Sequence, residues 1–233
     1  MFGKFRLGGT WKNRFSFGIM YKEKNMLRRL LAIVCLAMLT LQTGCGKVVT
    51  NKEQTKAGFL QIFNGSDLTG WEASGGAKWV VEDGAIVGTQ GDNYAHGDLF
   101  TKNTYKDFLL TVTYRVEWPC NTGVWFRYQS PSKAYQADIL EYKNPVCYSG
   151  SLYCPGKMFI AMNTDKTLVD RDGWNTMKVR AEGDHIQIWL NGRQVADMHD
   201  DTTDSGKIGF QVHPGEQFGP MKIIVREMLL KPL

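Results

Sequence analysis

From Phe59 to the end of the chain, apolar and polar residues alternate with a period of two, and no stretch carries a helical period. In Asp107–Val116, Phe108, Leu110, Val112, Tyr114 and Val116 share one face, and Thr111, Thr113 and Arg115 take the other. Met177, Val179 and Ala181 alternate with Thr176, Lys178 and Arg180. Ile186, Ile188 and Leu190 alternate with Gln187 and Trp189. Asn191-Gly192 follows at once, and both residues tolerate the positive φ that a two-residue hairpin turn requires. Trp79–Val81 and Ala85–Val87 flank a second turn at Glu82-Asp83-Gly84, and Gly206–Val212 and Met221–Leu229 close the chain. These features predict about a dozen short strands. Each has one apolar face to bury, which two packed antiparallel sheets accomplish. The expected fold is all-β, a jelly-roll β-sandwich. A propeller or barrel is the next architecture, and no internal repeat of propeller length is present.

The first 57 residues are of another kind. Arg28 and Arg29 precede a 12-residue apolar run, Leu30–Leu41, interrupted only by Thr40. A bilayer span takes about 20 residues, so the run fits the apolar region of a secretory signal. It ends in Thr43-Gly44-Cys45, which resembles a bacterial lipobox, although Gln42 stands where such motifs usually place Leu. The expectation is an exported chain whose Cys45 is acylated. The alternative is an ordinary signal with an incidental cysteine. Residues 1–44 form the leader, and residues 1–25 read as upstream sequence with Met20 or Met26 as the true start. Residues 45–57 are a polar tether, and 58–233 form the folded domain. Gly46–Thr50 lacks an acidic run, which favours an envelope anchor with the domain facing the periplasm.

Losing the leader reverses the charge. Residues 1–44 hold 8 of the 28 Lys+Arg and 1 of the 23 Asp+Glu, leaving 20 basic and 22 acidic residues, a net of −2. No basic patch remains to suggest nucleic acid. Three cysteines are left besides Cys45, and in an oxidising compartment Cys147 and Cys154 are the expected disulfide pair, across a Tyr-Ser-Gly-Ser-Leu-Tyr loop. Cys120 is then a buried free thiol.

Each sheet buries one face, so polar and aromatic residues on the second face call for a reason. In Asn121–Arg127, Val124 and Phe126 point one way, and Asn121, Gly123, Trp125 and Arg127 the other. In Tyr135–Glu141, Gln136 and Asp138 oppose Tyr135, Ala137 and Ile139. In Gly206–His213, Lys207, Gln211 and His213 oppose Ile208, Phe210 and Val212. Together with Trp189, these residues suit a sugar, because aromatic faces stack on pyranose C–H groups and planar polar groups bond the hydroxyls. Taken singly, each is as readily an ordinary solvent-facing residue of a sheet.

The same phrases, in order, resemble the 3-keto-disaccharide hydrolase family. They are FNGSDLTGWE at Phe63–Glu72, W-x-V-E-D-G-A-I at Trp79–Ile86, N-T-G-V-W-F-R at Asn121–Arg127, Y-Q-A-D-I-L-E at Tyr135–Glu141, G-S-L-Y at Gly150–Tyr153, L-N-G at Leu190–Gly192 and G-x-I-G-x-Q-x-H at Gly206–His213. The resemblance implies a concanavalin A-like jelly roll. It also implies action on glycosides oxidised at C3, by hydrolysis or by C1–C2 elimination. A ketone at C3 makes the C2 proton acidic, so a base, a group for the enolate oxygen and an acid for the leaving oxygen are needed. His213 or Asp138 are candidate bases, Arg127 or Lys207 candidate enolate partners, and Glu141 a candidate acid or metal ligand. Trp125, Gln136, Gln211, Trp189, Lys207 and Asn121 are candidate substrate contacts. Glu141 is out of phase with Asp138 and reaches the same cleft only if the strand ends or bulges near Leu140. The cofactor is unknown, and a divalent metal on Asp138, Glu141 and His213 is chemically reasonable, though no ligand spacing demands it. Gln136, Asp138 and Glu141 stand where the family usually has Glu, Gln and Asp. The competing reading is a carbohydrate-binding β-sandwich without turnover.

Overall fold

The computed structural model describes residues 58–233. The expected signal, the lipid on Cys45 and the tether lie outside the described residues. Among the described residues, fifteen strands form two antiparallel sheets. The back sheet runs β13 (Arg193–His199), β12 (His185–Leu190), β11 (Asn175–Glu182), β6 (Phe108–Glu117), β15 (Lys222–Pro232), β4 (Ala85–Thr89) and β3 (Lys78–Glu82), with the short β1 (Leu60–Gln61) beside β15. The front sheet runs β10 (Met158–Asn163), β9 (Val146–Cys154), β8 (Lys133–Lys143), β7 (Asn121–Ser130), β14 (Gly206–Val212), β5 (Gly97–Tyr105) and β2 (Trp71–Gly75). Strands distant in sequence lie side by side, as in a jelly roll.

The core lies between the sheets and holds the apolar faces read from the alternation. Phe108, Leu110, Val112 and Tyr114 of β6 are fully buried, as are Val124 and Phe126 of β7 and Tyr135, Ala137 and Ile139 of β8. Phe108 meets Phe126 edge-on at 6.4 Å between ring centroids. Burying a large apolar side chain of this kind stabilises by roughly 1.5–3 kcal/mol, so the paired stripes hold the sheets together. The β12–β13 hairpin turns on Asn191 (φ 48°) and Gly192 (φ 84°), the two positive φ values that the dipeptide predicts.

One segment differs from the sequence expectation. Val146–Cys154, expected to contain a loop closed by a disulfide, is strand β9, paired with β8 from Gln136↔Tyr153 to Lys143↔Val146. Its polar residues are accommodated internally. Ser149 and Ser151 are fully buried, with Ser149 Oγ accepting from Leu140 N at 3.2 Å and Ser151 Oγ accepting from Asn163 N at 2.9 Å. Cys147 and Cys154 therefore sit near opposite ends of one extended strand. Seven residues of strand span roughly 23 Å, whereas a disulfide needs Cα atoms within about 7 Å. Both are free buried thiols, as is Cys120, which lies against the Ile139 carbonyl at 3.7 Å. Alkylation of denatured, unreduced protein should thus label Cys120, Cys147 and Cys154 alike. A cross-linked Cys147–Cys154 peptide in the mass map would contradict the strand assignment.

Candidate functional site

The outer face of the front sheet carries a cleft of about 450 Å³. Two cross-strand rows build its floor. One row runs Asp98, Gln211, Gly123, Asp138 across β5, β14, β7 and β8. The next runs Phe100, Gly209, Trp125, Gln136, Tyr153, Phe159 from β5 to β10. Side chains in register stand on one face of a sheet, so these residues meet although they are scattered in sequence. Gly123 keeps the first row open, because a Cβ there would lie 2.6 Å from Gln136 Cγ and 2.9 Å from the Ala137 carbonyl.

Asp138 is the chemically most distinctive residue of the floor. It is 3% exposed, and among the described residues no hydrogen bond or ion pair engages its carboxylate. Burial alone pushes its pKa well above the usual carboxylate range. Asp98 is also raised by burial, an effect opposed by the 2.9 Å bond from Trp125 Nε1. The two carboxylates stand three strand spacings apart, roughly 14 Å between backbones. They are therefore not built as the closely spaced pair of an ordinary retaining glycosidase.

His213 stands at the end of β14, beside Asn121, whose carbonyl accepts from His213 N at 3.3 Å. Its Nδ1 lies 2.8 Å from the Pro214 carbonyl. A carbonyl only accepts, so Nδ1 carries the proton and a neutral ring presents its Nε2 lone pair. The loop after β14 is tied down by Gln90, whose Nε2 donates to the carbonyls of His213 and Gly215, each at 2.9 Å. Replacing Gln90 by Leu removes both bonds. Amide exchange over residues 213–219 should then accelerate about 10-fold, the equivalent of one to two net hydrogen bonds. Unchanged exchange in that loop would show that Gln90 does not hold it.

Of the residues singled out from the sequence, Asp138, His213, Trp125, Gln136, Gln211 and Asn121 all line this cleft. Gln136 Nε2 and Gln211 Oε1 lie 3.3 Å apart, and Trp125 is edge-on to Tyr128 and Tyr153 at 5.7 and 6.4 Å. Four others are elsewhere. Arg127 turns away at φ 48° and is wholly buried, bonding the carbonyls of Lys106 (2.8 Å) and Gly183 (2.7 Å) and the Asp107 carboxylate (3.1 Å). Glu141 is exposed and paired with Arg171, the phase difference that the alternation predicts. Trp189 belongs to the back sheet, under the Lys178 ammonium at 4.1 Å. Lys207 is on the front sheet but pairs with Glu72 of edge strand β2, outside the cleft. The expected trio Asp138, Glu141 and His213 is not assembled, and among the described residues no three His, Cys, Asp or Glu side chains gather where a metal would sit. The sequence reading missed His96, Asp98 and the ring wall Tyr128, Tyr142, Tyr153 and Phe159. Register with Gln211 could have found Asp98, but only once β5 and β14 were known to pair.

A two-sheet antiparallel sandwich with such a cleft is a concanavalin- or galectin-type jelly roll. A Bacillus subtilis protein of unknown function with a galectin-like fold superposes with a TM-score of 0.60 at 17% identity, covering 74% of this chain and 94% of its own. A candidate glycosyl hydrolase from Parabacteroides distasonis superposes with a TM-score of 0.60 at 20% identity, covering 79% of this chain and 98% of its own. The 3-keto-alpha-glucoside-1,2-lyase-like domain matches residues 58–227, and the chain belongs to that family. The 3-keto-disaccharide hydrolase of Bacteroides thetaiotaomicron is 30% identical over 78 residues, a match that spans 30% of this chain and 27% of that protein.

Proposed function

We propose that the domain cleaves glycosides oxidised at C3, with Asp138 as the base. The observation that carries this reading is a buried, unpaired carboxylate on the floor of a cleft that also holds amides, histidines, aromatic rings and the Trp125-bonded Asp98. A carboxylate without hydrogen-bonded partners is more basic, which suits removal of a carbon-bound proton. Asp138 takes the C2 proton, the electron pair passes into the C3 carbonyl as an enolate, and its return expels the C1 oxygen to leave a C1–C2 double bond. The Asp138 carboxyl passes that proton to the departing oxygen, and the Nε2 lone pair of His213 accepts a hydrogen bond from a sugar hydroxyl. Gln136, Gln211 and Asn121 offer amide hydrogens to the sugar oxygens. Adding water across the double bond gives the hydrolysis product. Belonging to the family supports the substrate class.

The test is product analysis of a 3-keto-glucoside in deuterated water. The expected results are an unsaturated or hydrated keto sugar and deuterium at C2 of recovered substrate. Cleavage without C2 exchange, with solvent oxygen entering C1 directly, would refute the elimination route. A carbohydrate-binding module without turnover is the second reading, favoured by a cleft lining that, among the described residues, holds no Lys or Arg for an enolate. It predicts that Trp125→Ala loses sugar affinity in a protein that turns over no oxidised glycoside. We further propose, from the leader sequence, that Cys45 anchors the domain in the cell envelope facing the periplasm. Incorporation of labelled fatty acid that persists in Cys45→Ser would reject the anchor.

A further inference from the structure

The cleft changes character across the strands. From β5 to β8 its lining combines the polar His96, Asp98, Gln136, Asp138, Gln211 and His213 with Trp125 and Tyr128. Tyr142, further along β8, and Tyr153, Pro155, Met158 and Phe159, toward the β10 edge, form the other part. Phe159 packs on both tyrosines, with ring centroids 5.9 Å from Tyr142 and 6.0 Å from Tyr153. Tyr153 stands opposite Gln136 while Tyr142 lies further along β8, so the three rings bracket Asp138. The side-chain polar groups of these five residues are two phenol hydroxyls.

Two of the lining residues are unusually open for apolar side chains, Met158 at 55% and Tyr142 at 41% exposed. Met162, on the same strand as Met158, is open too. Three of the eight large exposed apolar side chains among the described residues, Tyr142, Met158 and Met162, thus gather on β8 and β10. Scattered singly they would mean little, but a gathered patch continuous with a polar cleft marks a place where a ligand covers it. A second pyranose there would lose water from its hydroxyls with few partners in exchange. An apolar ring would lose none and would bury the exposed surface.

We propose that this half of the cleft is a leaving-group subsite for glycosides whose aglycone is an apolar ring, aromatic or alicyclic. The inference rests on the reading that Asp138 works on the oxidised sugar in the other half. The test compares two 3-keto-glucosides that both leave as primary alcohols, the sugar alcohol being the more acidic, so that leaving-group chemistry works against the expected preference. One carries a cyclohexylmethyl aglycone and the other a second glucose. Wild-type kcat/KM should favour the cyclohexylmethyl compound by about 10-fold, mainly through KM, as burial of one ring suggests. In Phe159→Ala, and in Tyr142→Ser at an already exposed position, the ratio should fall to near one. Calorimetric binding of the unoxidised cyclohexylmethyl glucoside reads the subsite without turnover and should weaken at least about 5-fold in the same variants. Equal kcat/KM for the two compounds, or a binding affinity that neither substitution moves, would overturn the subsite. Failure to turn over either compound, with the binding preference intact, would overturn the catalytic reading and leave the subsite standing.

Discussion

Replacing Asp138 by Asn should lower kcat on a 3-keto-glucoside by roughly 10³-fold, within the usual contribution of a positioned base, while making the protein more stable at neutral pH. The two effects have one cause. The carboxyl is buried without a partner, so its folded-state pKa stands above its unfolded value. An acid of that kind binds its proton more tightly when folded, so its contribution to stability is fully present at low pH. That stability is lost as pH rises from the unfolded pKa toward the folded one. At neutral pH the native protein carries the cost of a desolvated charge, which the isosteric amide does not. A change of 1 kcal/mol moves the midpoint of a domain this size by about 2–4 °C, so a gain of several degrees is expected. It should shrink as the pH is lowered from the folded-state pKa toward the unfolded one and level off below about 3, where Asp138 is neutral in both states. The kcat of the wild type should in turn rise with pH as Asp138 ionises. A variant with kcat within about threefold of wild type would remove Asp138 from the chemistry. A lowered Tm at neutral pH would show that the carboxylate is stabilised in a way the buried geometry does not display.

Arg127→Ala should destabilise the domain by about 3–5 kcal/mol, the range for breaking a buried charge pair from one side, without altering the chemistry of molecules that remain folded. Arg127 fastens three parts of the chain together. Its guanidinium reaches the Lys106 carbonyl and Asp107 carboxylate before β6, and the Gly183 carbonyl in the β11–β12 turn. The Asp107 carboxylate also accepts from Gly183 N at 2.9 Å, which completes the clasp. Burial pulls the guanidinium pKa down and Asp107 opposes it, so the pair holds its charge inside the fold. Arg127→Lys retains the charge but cannot reach several acceptors in a planar fork, so it should recover only part of the loss. The measurements are a denaturant melt and kcat per folded molecule. Wild-type stability combined with a 10²-fold fall in kcat would restore Arg127 to the enolate role that its sequence position first suggests.

The contrast between Arg127 and Asp138 shows how far the alternation could be read. Both were placed on the outer face by the same count of two. For Asp138 the count holds, because β8 continues in register with β7 through Gly123↔Asp138 and Trp125↔Gln136. At Arg127 the backbone passes through positive φ and the β7–β8 register shifts between Phe126 and Ser130. A one-residue slip reverses every side chain beyond it, and nothing in N-T-G-V-W-F-R announces the slip. Trp189 shows a second limit. Its outward direction follows from Ile188 and Leu190, but which of two sheets holds it does not.

By itself the sequence determined the class of the fold, the hairpin at Asn191-Gly192, the buried stripes and the family, because each depends on neighbours along the chain. It also presented Asp138, Gln136, Trp125, Gln211, Asn121 and His213 as outward residues. Only the tertiary structure decided that these six share one cleft and that Arg127, Glu141, Lys207 and Trp189 lie outside it. It alone made β9 a strand, because Ser149 and Ser151 can be buried once Leu140 and Asn163 supply hydrogen-bond partners from other strands. With β9 and β10 came the wall of Tyr153 and Phe159 and the enclosure of Asp138. The physical reason is that periodicity fixes the direction of a side chain from its own strand, whereas a site is made by register between strands far apart in the chain.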